Sequence, residues 1–224
     1  MINVGLVVGL LAVGFAVGTF VALLQVYGGR LLGLLAAVFE WVFRSIPALV
    51  LLFLFYYGPP RFGIDISAFA AATFALGLRS SAYQSQIFRG AIQSISSGQM
   101  MAARSMGMGT LRAIVSIILP QAFRLSIPGW TNEFASVIKD TTLAYAVGYT
   151  EVLRTARLVF DTYYDLAMHV LIVVALVFLV LTYAGNTLLG YVEQRVSIPG
   201  LQMPGARVVR RHGVREHTIE GTPR

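Results

Sequence analysis

The chain has 224 residues, 57% of them hydrophobic and 12% charged, with a net charge of +7, where an average soluble domain carries roughly 25% charged residues. A mean hydropathy of +0.74 excludes an ordinary soluble domain, which would turn too much apolar surface to water, and the wealth of Leu, Val, Ile and Phe excludes a disordered chain. Cysteine is absent, which excludes disulfides, thiolate metal sites and a cysteine nucleophile, and His169, His212 and His217 are too scattered to assemble a metal cluster.

A membrane crossing needs about 20 mostly apolar residues, because hydrocarbon offers backbone N–H and C=O groups no partner outside the helix itself. Val4 to Val26 carries no charge and at 1.5 Å per residue reaches about 34 Å, enough to cross alone. No Lys or Arg precedes Arg30, and the apolar run outlasts a signal-peptide core, so this first span is read as retained. A second span is expected over about 31–57. It carries Glu40 and Arg44 at i,i+4, an arrangement that favours a structural ion pair, and Pro59 and Pro60 stop it. The third span, about 66–88, is Ala-rich in its first half and holds Arg79, Ser80, Ser81, Gln84, Ser85 and Gln86 in its second. That polar half should face protein. Between 111 and 137 the apolar pattern is interrupted by Pro120, Arg124, Pro128 and Glu133, which predicts a broken or kinked helix buried among others. The fifth span, about 167–189, has Tyr163, Tyr164, Tyr183 and Tyr191 near its ends, as interfacial anchors.

Five spans put the links 27–31 and 86–112 and the C-terminal tail on one side. Link 86–112 holds Arg89, Arg104 and Arg112 with no acid, and the tail from Ser197 holds five Arg against two Glu. These are the cytoplasmic faces. The opposite links balance Arg61 against Asp65, and Arg154 and Arg157 against Glu151, Asp161 and Asp165, so the N-terminus is expected outside. Topology thus accounts for the surplus positive charge without a nucleic-acid role. The tail over 201–224 is expected to be a flexible, solvated end that enforces orientation, a reading favoured over contact with anionic lipid headgroups.

Link 86–112 is too apolar for a solvated connection and too short to span. Ser96 or Ser97 is suited to cap a short helix beginning near Gly98, and Gly107 to the left-handed position that ends it. Met100, Ala103 and Gly107 then lie at i, i+3 and i+7 on one face. Two readings stand open here. The helix sits in another protein's cleft, where methionine adapts and alanine permits close approach, or it lies flat on lipid headgroups.

Ala102-Ala103, three residues, Gly107, nine residues, Ile117, one residue, then Leu119-Pro120 resembles the cytoplasmic-loop signature of the membrane subunits of ATP-binding-cassette importers. Phe43-Arg-Ser-Ile-Pro47, Ala82-Tyr83 followed by Arg89-Gly90, Gly98-Gln99, and Lys139-Asp140-Thr141-Thr142-Leu143 look like the polar amino acid permease branch, the histidine and glutamine type. The resemblance covers about 9–200. Two residues depart from the pattern. Met101 replaces the glutamate that usually opens the signature, which puts that glutamate's polar contact with the ATPase in question, and Gln86 stands where a glutamate is common. The first span also opens with little of the extracellular lead-in of such permeases, so a late start is expected.

The resemblance implies an all-α polytopic fold of the type I importer permease class over residues 1–200, with a coupling loop at about 89–112. It implies a multi-pass subunit of a prokaryotic cell (inner) membrane that forms the translocation pathway for a polar amino acid. ATP with Mg²⁺ would be bound by separate nucleotide-binding ATPase subunits, a second permease chain, identical or related, would complete the pathway, and an extracellular or periplasmic solute-binding protein would deliver the substrate. The residues agree that the motor lies elsewhere. Lys139 is the only lysine, it precedes Asp140 rather than Ser or Thr, and no Gly-x-x-x-x-Gly-Lys loop exists. The chain itself is therefore read as no enzyme, with no cofactor and no metal.

Gly98, Gln99, Met100, Met101, Ala102, Ala103 and Gly107 are the candidate residues for coupling to the ATPase. Charge in mid-bilayer costs about 2.5–3.5 kcal/mol, so it marks protein-facing or watery positions. Arg79, Ser80, Gln84, Glu133 and Asp140 are accordingly the candidate pathway residues. Arg79 either offers donors to a substrate carboxylate or pairs with Glu133, which can conversely hold an α-ammonium. Lys139 and Asp140 more readily fix the turn that follows the broken span. The rival readings are an importer of another small solute, and a non-transporting scaffold that binds a partner through the loop helix. An intramembrane hydrolase is disfavoured because His169, in the fifth span, has no evident nucleophile partner.

Overall fold

The computed structural model describes residues 4–196, which include no β-strand. The helices are α1 (Val4–Tyr27), α2 (Gly29–Ser45), α3 (Ala48–Tyr57), α4 (Ala68–Ser94), α5 (Ser97–Ser105), α6 (Thr110–Ala113), α7 (Leu119–Asp140), α8 (Val152–Thr162) and α9 (Ala167–Val196). A π turn, Ile114–Ile118, joins α6 to α7, and a 3₁₀ turn, Thr141–Val147, continues α7, so that 110–147 is one helical passage of 38 residues. The basic tail lies outside the described residues.

Three of these stretches, α1, 110–147 and Tyr164–Val196, are long and apolar enough to cross a membrane. A fourth qualifies if α2 and the following helical stretch count together, although they bend by 101° at their junction. This corrects the expectation of one continuous span over 31–57. Pro47 has no N–H and disfavours helical geometry in the residue before it, and Ile46 accordingly sits at φ −81°, ψ 131°. The chain turns there rather than at Pro59, which opens a 3₁₀ turn (Pro59–Phe62) ended by left-handed Gly63. Helix α4, with 27 residues, is about 40 Å long. Its polar second half makes it less apolar than those three stretches.

The irregularity expected between 111 and 137 falls earlier than its prolines suggest. Pro128 is carried inside α7, and Pro120 occupies the first turn of that helix, where its missing N–H costs nothing. The wound-out turn is the π segment just upstream.

Helix α4 is the axis of the bundle. It buries Ala71, Ala72, Ala75, Leu76, Gly77, Ser80, Ser81, Ala82, Gln84, Ser85, Phe88, Ala91 and Ile92, so its polar half does face protein. Helix α1 runs parallel to it and packs along it through Leu6, Leu10, Gly14, Gly18 and Ala22, a row of every fourth residue. Glycine lets the two backbones touch. A Cβ on Gly18 would stand 2.9 Å from the Ser81 carbonyl oxygen and 3.0 Å from Gln84 Cβ, and one on Gly77 would stand 2.9 Å from Val13 Cβ.

Two apolar clusters close the ends of this assembly. At one end Leu6 and Leu10 meet Leu51, Leu52, Ala72, Ala75, Leu76, Val137, Ala144 and Val147. At the other, Ala22 meets Phe88, Ala91, Ile92, Ile95, Ile118, Ala122 and Leu125. Between them lies a polar layer, and beyond the second cluster hangs α5. Helix α8 begins at Glu151, whose carboxylate accepts from the N–H groups of Leu153 (2.8 Å) and Arg154 (2.6 Å). Burial pushes that carboxyl up, and the two N–H groups pull it partly back. Helix α9 buries none of its residues.

Candidate functional site

The polar layer is built on two consecutive turns of α4. Residues four apart on a helix share a face, so Arg79 lies over Tyr83 and Ser80 over Gln84. Arg79 donates from Nη1 to Asp140 Oδ2 at 2.9 Å and from Nη2 to the Tyr83 hydroxyl at 3.4 Å. Ser80 donates to Glu133 Oε1 at 2.6 Å. Glu133 and Asp140, seven residues apart, share a face of α7 and so both reach α4.

Behind the serine runs an ordered chain of donors. The Trp130 indole N–H donates to Gln84 Oε1 at 2.8 Å, and Gln84 Nε2 donates to Ser80 Oγ at 3.1 Å. Each bond orients the next, so the Ser80 hydroxyl is committed to the carboxylate. Gln84 itself is wholly buried, in space left by the missing side chain of Gly14.

The candidate pathway residues thus meet in one layer of α4 and α7. Their pairing differs from one of the two sequence readings, because the acid that takes Arg79 is Asp140, while Glu133 takes Ser80. Asp140 holds a guanidinium as well as standing at the turn. Arg79 Nε is buried without a hydrogen-bond partner, so the guanidinium has a donor to spare. The arginine can present charge, and the Ser80–Glu133 pair a carboxylate oxygen, to a zwitterion.

A second polar group, centred on buried Glu40, went unread beyond its i,i+4 arginine. Glu40 accepts from Gln25 Nε2 (2.8 Å), Gln86 Nε2 (2.5 Å) and, at 3.5 Å, from Ser85 Oγ and Arg44 Nη1, and Arg89 Nη1 lies 3.7 Å away. Arg89 also donates to Gln25 Oε1 at 2.9 Å. The available signal was Gln25, a polar residue near the end of the otherwise apolar first span.

Just after α4, α5 forms over Ser97–Ser105. Ser96 caps it by accepting from Gly98 N at 3.3 Å. At its end Gly107 takes φ +81°, the Met108 N–H bonds the Ala103 carbonyl at 3.1 Å and the Gly107 N–H bonds the Arg104 carbonyl at 3.0 Å. These two bonds are the Schellman closure, which needs a left-handed residue. Arg104 bonds Thr110 across the turn.

The face of α5 singled out from spacing points the other way. Ala103 is 1% exposed, and Met100 packs against the cluster around Phe88 and Ile118, so Met100 and Ala103 fasten α5 to its own chain. Met101 (64% exposed) and Met106 (81%) stand free, together with Gln99 and Ala102. The 3.6-residue period identifies two faces but not which one meets the chain's own core.

The chain matches the family described as the inner membrane component of binding-protein-dependent transport systems over residues 14–198. It is 36% identical over 186 residues to a probable glutamine ABC transporter permease protein, GlnM, of Bacillus subtilis, covering 83% of this chain and 86% of that one. It is 35% identical over 193 residues to the nopaline transport system permease protein NocM of Agrobacterium fabrum, covering 82% of this chain and 80% of the relative. Among solved structures, a crystal structure of an amino acid ABC transporter with histidines superposes with a TM-score of 0.74 at 33% identity, over 85% of this chain and 89% of that chain. These likenesses span nearly the whole bundle, including the polar layer and the loop helix, and the chain belongs to the family of membrane-embedded permease components of ATP-binding-cassette importers.

Proposed function

We propose that the chain forms half of the translocation pathway for a polar amino acid, with Arg79, Ser80, Gln84, Glu133 and Asp140 lining it. The observation that carries this reading is that Arg79 pairs with Asp140 and Ser80 donates to Glu133 inside an apolar bundle. Such charge is expensive in a membrane and is kept where it faces a pathway or a partner. A zwitterionic amino acid presents a carboxylate and an ammonium a few bonds apart, and the layer offers donors and acceptors of both signs. The glutamine named for one relative and the amino acid transporter among the solved structures support the same class.

In this reading the chain crosses five times with its N-terminus outside. Two nucleotide-binding subunits dock on the free side of α5, through Gln99, Met101, Ala102 and Met106, and a second copy or a related permease supplies the other wall. A solute-binding protein delivers from outside. Closure of the ATPase on ATP moves α5, and the bundle alternates between inward- and outward-open packings.

Co-expression with an ATPase subunit and a solute-binding protein from the same organism, followed by reconstitution in liposomes, tests the reading. ATP-dependent accumulation of a labelled polar amino acid is expected. Accumulation of a different solute class in its place would overturn the substrate assignment, and ATPase binding without any accumulation would leave a scaffold.

A further inference from the structure

The two polar groups are joined. Arg89 stands 3.7 Å from Glu40 and Glu40 3.5 Å from Arg44. The Arg44 guanidinium lies 5.1 Å from the centroid of the Tyr83 ring and that of Arg79 lies 5.0 Å from the same centroid. Arg79 then pairs with Asp140 at 2.9 Å. An aromatic ring attracts cations to its faces, so Tyr83 links two arginines that would otherwise repel each other. The result is an unbroken series of alternating attractions from the cytoplasmic third of α4, through α2, back to the middle of α4, and on to α7.

Glu40 is the member that holds this series in register. It is buried, its two oxygens are engaged by groups from α1 and α4, and the only cation on its own helix that it reaches is Arg44, the residue that touches Tyr83. Its neighbours Arg89 and Gln86 lie in the last third of α4, the helix that leads into α5. We propose that Glu40 is a positioning residue for transport: it fixes Arg44 against Tyr83 and so ties the position of Arg79 to the cytoplasmic end of α4, from which the loop helix hangs. A displacement of α5 then reaches the Arg79–Asp140 pair through charge as well as through the backbone. A series of contacts becomes a coupling path only when perturbing one member is felt at another.

The inference rests on the transport reading above and is tested in the same reconstituted complex, as solute accumulated per ATP hydrolysed. Glu40→Gln keeps the size and one accepting oxygen, removes the charge and turns the other oxygen into a donor, and is expected to lower that ratio about fivefold. If Glu40→Gln fails to assemble, Arg44→Gln, at the half-exposed edge of the series, is expected to give the same loss. Arg44→Lys, which keeps a cation on the ring, should return the ratio to within about twofold of the parent. The double variant Glu40→Gln with Arg44→Gln should be no worse than either single one. A purely structural role would lower yield and thermal midpoint while leaving the ratio intact. An unchanged ratio in Glu40→Gln or Arg44→Gln, or losses that simply add in the double variant, would overturn the inference. A parent complex that moves no solute would instead overturn the transport reading.

Discussion

Gly18 has only a hydrogen where any other residue would press a carbon against the Ser81 carbonyl and the stem of Gln84. Both obstacles belong to a buried helix that cannot retreat. Gly18→Ala should therefore destabilise the bundle by about 1–3 kcal/mol, read as a lower thermal midpoint of the detergent-purified chain. Arg79 is the opposite case, a residue that the proposed function places in the pathway. Arg79→Ala should abolish uptake while the complex still assembles, and Glu133→Ala should do the same. Unchanged uptake kinetics in either variant would remove that residue from the pathway. That Arg79 faces protein or a pathway was legible from its depth in the third span, but whether it meets a substrate carboxylate or an acid of the chain, and which acid, was not. Glu133 and Asp140 are both on α7 and two turns apart, and only the relative height of α4 and α7, a tertiary quantity, gives Asp140 to Arg79 and Glu133 to Ser80.

The loop helix shows how local signals fix an element but not its orientation. Ser96 and Gly107 mark its two ends because a cap needs a side-chain acceptor and a closure needs a left-handed residue. The inward face is decided by what lies beneath it, the cluster of Phe88, Ile92, Ile95 and Ile118, brought there by α4, the residue that follows it and the π turn. Pro47 is the converse, a signal present in the sequence that fixes a sharp turn between α2 and α3 where apolar length alone suggested a straight crossing. On the opposite side of the molecule, α8 depends on the Glu151 cap. Burial raises the folded-state pKa of that carboxyl above its usual range. Its contribution to stability is therefore complete below the ordinary glutamate value and is lost as pH rises through the raised one. Glu151→Gln, which keeps an acceptor and carries no charge, should flatten that pH dependence in thermal unfolding, while Glu151→Ala should cost about 1 kcal/mol through loss of the cap.

At the scale of the whole molecule, the two sides of α5 should separate assembly from folding. Met101→Asp changes a side chain on the exposed face of α5 and should reduce co-purification of the ATPase without moving the thermal midpoint. Met100→Asp puts a charge into the Phe88 cluster and should lower the midpoint instead. Exchange of these two outcomes would show that the helix docks by its other face. The membrane character, the first and last spans, and the inward turn of the polar half of α4 were all legible, because hydropathy and helical period are properties of one segment at a time. What escaped, the engagement of Gln25, Gln86 and Arg89 with Glu40, depends on three segments meeting.

The glycine seam between α1 and α4 limits how such a machine can move. With Gly14, Gly18 and Gly77 each filled to contact by the facing helix, neither helix can slide or roll on the other without collision. Through every stroke of the cycle the two must therefore travel as one stiff plank, and the gap that admits a solute has to open along a looser seam.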